Sequence, residues 1–73
     1  MAKPRVNPVY ETRVRGVLGS TLLGAFPTLN GVAQGGETVL TGELPDQAAL
    51  HGVLNQIESL GLELIAVNQV ALR

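Results

Sequence analysis

From Val9 to Val17, Tyr10, Thr12 and Val14 interleave with Glu11, Arg13 and Arg15. A period of two belongs to a strand with one buried face, so a first strand is expected there. Leu18, Leu22, Leu23 and Phe26 then recur at helical spacing behind Gly16 and Gly19. Pro27 ends that run because it pushes the residue before it out of the α region, and a short helix is expected over residues 18–26, with Ser20 or Thr21 near its start. Residues 30–34 read as a short strand, Gly35-Gly36 as a two-residue hairpin turn that tolerates positive φ, and residues 37–44 as a third strand rich in β formers.

The clearest element follows Pro45. Asp46 is placed to cap a helix by accepting hydrogen bonds from its first free N–H groups. Behind it Leu50, Val53, Leu54, Ile57 and Leu60 form an apolar stripe, while Gln47, His51, Asn55 and Glu58 line another face. Gly61 supplies a left-handed stop, after which Leu62 can fold back onto the last turn. Residues 63–70 complete the pattern as a fourth strand, apolar on both faces.

The order β-α-β-β-α-β is that of a ferredoxin-like α+β fold. Right-handed crossovers place both helices on one face of a four-stranded antiparallel sheet, with the first and last strands adjacent and the other face uncovered. Residues 1–8, with two prolines, two bases and no periodicity, are expected to be a flexible arm, and residues 9–73 a single domain.

Composition narrows the function classes. Apolar residues are 45% of the chain and charged ones only 15%, below the roughly 25% usual in soluble domains. With 73 residues, the chain can bury only about 60% of the surface its unfolded form exposes, so a disulfide, a metal or a partner is expected to help. It has no cysteine, and one histidine cannot build a four-ligand zinc site. Association with a second copy is the remaining aid, and no cofactor or metal is expected.

No run approaches the about 18 apolar residues of a membrane span, and the opening lacks the apolar stretch of a signal peptide, so a cytoplasmic location without membrane contact is expected. A net charge of −1 gives no reason to expect nucleic acid. RNA binding on such a sheet needs exposed aromatics, and the one Tyr and one Phe are both expected inside. The charges are nevertheless segregated: Lys3, Arg5, Arg13 and Arg15 precede Gly16, whereas five of the six acids follow it.

Few residues offer chemistry. His51 is the only side chain suited to proton transfer near neutrality, but its place on the polar side of the second helix favours a surface or interface role. Tyr10 is expected half-buried with a wet hydroxyl. The turn Gly16, Gly19, Ser20 and Thr21 precedes a helix and is a candidate site for a small anionic metabolite, although it lacks the lysine of a P-loop and the third glycine of a dinucleotide fingerprint.

Arg13 and Arg15 lie on the outer face of a central strand. By alternation Val39, Thr41 and Glu43 of the third strand, and Glu63, Ile65 and Val67 of the fourth, share that face. An apolar patch of Val39, Ile65 and Val67 rimmed by opposite charges is what a self-complementary interface requires, with Arg13 and Arg15 meeting Glu43 or Glu63 of the other copy.

The stretch from Thr38 to Gly52, its continuation Leu60-Gly61-Leu62-Glu63-Leu64, and the run Tyr10-Glu11-Thr12-Arg13-Val14-Arg15-Gly16 resemble a group of short actinobacterial proteins without an established activity. From Thr38 onward a strand, Gly and helix pattern is also similar to BON domains, bacterial modules that bind lipid or partners. The residues together indicate a homo-oligomeric binding or scaffolding module, expected to be a dimer, without catalysis of its own, whose partners are expected to be itself, a small anionic metabolite or another protein. Two alternatives stand beside it: an ACT-like sensor holding an amino acid or metabolite at the subunit interface, and an accessory enzyme of dimeric α+β barrel type using His51.

Overall fold

The computed structural model describes residues 7–72. Most of the expected arm, residues 1–6, lies outside the described residues. The chain runs through β1 (Pro8–Arg15), α1 (Ser20–Leu23), β2 (Asn30–Gln34), β3 (Glu37–Glu43), α2 (Gln47–Ser59) and β4 (Leu64–Leu72). All pairings are antiparallel, in the order β2-β3-β1-β4. This is the expected ferredoxin-like arrangement, with β1 central and β2 and β4 as edges. Pro8 belongs to the sheet, not the arm: it pairs with Leu72, and its carbonyl accepts the Leu44 N–H at 3.0 Å.

Alternation along β1 and β3 divides the sheet into two faces. Thr12 and Val14 of β1 and Thr38 and Leu40 of β3 point to the helices and are buried. Val14 and Leu40 join Leu18, Phe26 and Ile57 in one apolar cluster, and Leu22, Leu23, Val53, Leu54 and Leu62 pack around it. Of the apolar stripe on α2 only Ile57 is fully buried; Leu50, Val53 and Leu54 are half-buried and Leu60 is exposed. The helix therefore rests on the sheet along a narrow line.

Both ends of α2 follow from local chemistry. The Asp46 carboxylate accepts the Ala49 N–H at 2.8 Å. At the other end Gly61 adopts φ 73°, the Gly61 N–H donates to the Glu58 carbonyl and the Leu62 N–H to that of Ile57. These two bonds make a Schellman cap that turns Leu62 inward. The Gly35-Gly36 hairpin also forms as expected, with φ of 54° and 81°, the paired positive values that match the twist of the strands it joins.

The first helix is shorter than its apolar spacing predicts, four residues instead of residues 18–26. Beyond Leu23 the chain tightens, with the Ala25 N–H donating to the Leu22 carbonyl and the Phe26 N–H to that of Leu23. Such i to i+3 bonds wind the backbone more steeply than an α-helix. They bring Phe26 into the core and lay Thr28 and Leu29 over β3. Gly42 accommodates this crossing, since a Cβ there would lie 2.7 Å from the Thr28 carbonyl oxygen and 2.6 Å from a Leu29 methyl.

Two outcomes follow for stability. Ile57→Ala should lose about 2–5 kcal/mol, as truncation of a fully buried aliphatic does, whereas Leu60→Ala should lose under about 1 kcal/mol; urea denaturation distinguishes them. Gly42→Ala should lower the melting temperature despite the higher β propensity of alanine, because the loop above it must move.

Candidate functional site

The sheet face away from the helices carries Arg13 and Arg15 as expected, and β1 is flanked there by both β3 and β4. Both arginines are paired within the chain. Arg13 Nη1 lies 3.0 Å from Glu37 Oε1 and Nη2 lies 3.9 Å from Glu11 Oε1, while Arg15 Nε lies 3.1 Å from Glu63 Oε1. The partner expected for Arg15 in a second copy is thus met by Glu63 of its own chain, and Arg13 turns to Glu37 and Glu11 instead of Glu43.

Val39 stands opposite Arg13 on one side and Val32 on the other. It is only 5% exposed although no layer among the described residues covers this face, so its neighbours' side chains shield it. Thr41, opposite Glu11, is half-buried, and Glu43, opposite Val9, is exposed. The expected wet patch of Val39, Ile65 and Val67 does not exist as such. Val67 pairs with buried Thr12, and therefore faces the helices.

The cause is a bulge. The pairing of β4 with β1 steps from Ala66 to Leu64, leaving Ile65 without an opposite residue, and again from Ala71 to Gln69, leaving out Val70. Each extra residue reverses the alternation. Glu63 thus reaches the free face beside Arg15, but Ala66 and Asn68 take the places that strict alternation gives to Ile65 and Val67.

The turn before α1 is occupied by the protein itself. Thr38 Oγ1 accepts the Leu18 N–H at 3.1 Å and donates to the Gly16 carbonyl at 2.7 Å, and the Gly16 N–H donates to the Gly36 carbonyl. Gly19, Ser20 and Thr21 are exposed, and Gly19 caps α1 without a side-chain bond. A four-residue helix has little dipole to offer an anion, and the Thr38 hydroxyl braces the Gly16 and Leu18 end of the turn while Gly19, Ser20 and Thr21 stay open to solvent.

A shallow groove of about 300 Å³ runs between residues 25–28 and Ala49, Gly52, Val53 and Gln56 of α2. No ionisable side chain lines it. His51 is exposed on α2 and does not border the groove, whose polar side chains among the described residues are Thr28 and Gln56. No group of His, Asp and Glu among the described residues is placed to hold a metal ion, and no helix among them is long and apolar enough to cross a membrane.

A domain of unknown function, DUF8691, matches residues 9–68, from the start of β1 into β4. The chain belongs to this family. No curated protein and no solved structure matches it. The family's match thus spans the whole helix-bearing core and both partners of the central pairing.

What sequence reasoning missed is the outer edge of β4. Leu64, Ile65, Val70 and Leu72 are exposed there, in a strand with no charged residue. The signal was present: the strand order makes the last strand an edge, and edge strands of monomers usually carry a charge or proline that blocks further pairing.

The ion pairs differ in worth. Arg13 and Glu37 side chains are each 32% exposed, against 67% and 63% for Arg15 and Glu63. Arg13→Ala should therefore cost about 1 kcal/mol, since it also uncovers Val39, and Arg15→Ala under about 0.5 kcal/mol. Chemical denaturation at low and high salt checks both, with only the Arg15 variant converging on wild type.

Proposed function

We propose that this domain is a non-catalytic, cytoplasmic binding or scaffolding module that acts as a homo-oligomer, most simply a dimer. One observation carries the proposal: of the seven large hydrophobics exposed among the described residues, four lie on β4. Apolar surface gathered on one element of so small a domain supports a partner that covers it, because scattered exposure would need no explanation and a cluster does. The free sheet face offers less, since its valine is shielded and its arginines are paired internally. The absence of ionisable groups around the groove supports binding over catalysis. The likeness of the chain to short actinobacterial proteins supports a bacterial setting.

Light scattering over a wide concentration range tests this. The expected mass is twice the 7.6 kDa of one chain. A single-chain mass at the highest concentration reached would refute self-association.

A further inference from the structure

We propose that two copies join along β4, antiparallel and about a two-fold axis at Asn68, to form one continuous eight-stranded sheet. Resting on the self-association proposed above, this names the surface, the register and the partner residues. Three features of β4 carry it.

The first is the free edge. Among the described residues β4 pairs with β1 on one side and with no strand on the other, so half of its backbone N–H and C=O groups lie open to a new strand. The opposite edge, β2, has five residues and β4 has nine, so pairing there would offer fewer rungs.

The second is charge. Leu64 to Leu72 contains no ionisable side chain, so a second copy meets no like charge along the whole strand. The edge also lacks proline and lysine, the usual blocks to such pairing.

The third is self-complementarity in face and size. Centred on Asn68, the pairing sets Leu64 against Leu72, Ile65 against Ala71, Ala66 against Val70 and Val67 against Gln69 of the other copy. Leu64 and Leu72 both lie on the helix-bearing side, opposite Val14 and Pro8, as do Val67 and Gln69, opposite Thr12 and Tyr10. Asn68 lies on the free face opposite Glu11. Every pair whose faces are fixed by the β1 ladder therefore matches, and a shift by one residue in either direction would set Asn68 of the free face against Val67 or Gln69 of the helix-bearing side. The two bulged residues, Ile65 and Val70, each 38% and 51% exposed, fall opposite alanines, so the large side chains that β1 leaves unopposed meet small ones.

The chain lacks cysteine, so one introduced thiol reports the register directly. Opposite residues of an antiparallel pair have Cα atoms about 4.5 or 5.5 Å apart, inside the roughly 4.4–6.8 Å that a disulfide spans. Asn68→Cys should oxidise almost fully to a covalent dimer on a denaturing gel and revert with reductant, while Val32→Cys, at the centre of the β2 edge, should not. In parallel, the double variant Ile65→Lys/Val70→Lys alters only exposed side chains; it should keep the wild-type circular dichroism spectrum and weaken the dimer by about 100-fold or more in sedimentation, because four lysines, each set opposite an alanine of the other copy, would crowd like charge into an apolar seam. A wild-type dimer that persists in the lysine variant, or that cross-links through Val32→Cys and not Asn68→Cys, overturns the β4 pairing while leaving self-association intact. A monomeric wild type overturns both.

Discussion

Val14 on β1, Leu40 on β3 and Ile57 on α2, none more than 1% exposed, are where the two layers of this small domain meet. A sheet covered on one side has a single interior, and here it is only one side chain deep. The elements are held by what surrounds that contact: a carboxylate cap and a Schellman turn fix the length of α2, and Thr38 ties the end of β1 to the start of α1 through two hydrogen bonds. Short polar devices of this kind matter most where the apolar contact is thin, since each unmade bond there would leave a buried backbone group without water or partner.

The sheet treats its two uncovered surfaces differently. On the free face, long charged side chains are tied to one another across strands, and the aliphatic residue among them is screened without a second layer. Along β4 no such device exists. A long arginine side chain opposite a valine screens that surface within one chain, whereas the backbone and aliphatic groups of the β4 edge face solvent with no charged side chain of their own strand beside them. The placement of charge, more than the total of apolar residues, decides which surface of the sheet stays apolar.

Much of this architecture was legible in the sequence, and the exceptions have physical causes. Gly35-Gly36, Asp46 and Gly61 each act through the residue's own backbone or carboxylate, and each sits where local chemistry places it. The first helix was overestimated because Leu22, Leu23 and Phe26 point inward in an α-helix and in a tighter turn alike, so apolar spacing does not distinguish them. Val67 was assigned to the wrong face because a bulge at Ile65 depends on the fit of β4 against β1, which no residue of β4 announces. That Thr38, some twenty positions later, braces the Gly16 and Leu18 end of the turn before α1 was likewise not legible. In each of these, the deciding contact is remote in sequence.

The pairing of Pro8 with Leu72 joins the two most distant segments of the described chain. Contacts of such separation form late, because loop closure must precede the reward of pairing. Until β4 arrives, β1 presents beside β3 an open flank with the same register that β4 later fills. A second molecule's β4 fits that flank as well as the chain's own. The order in which the strands close thus makes the flank of β1 the part of the sheet whose exposure lasts longest while the chain folds.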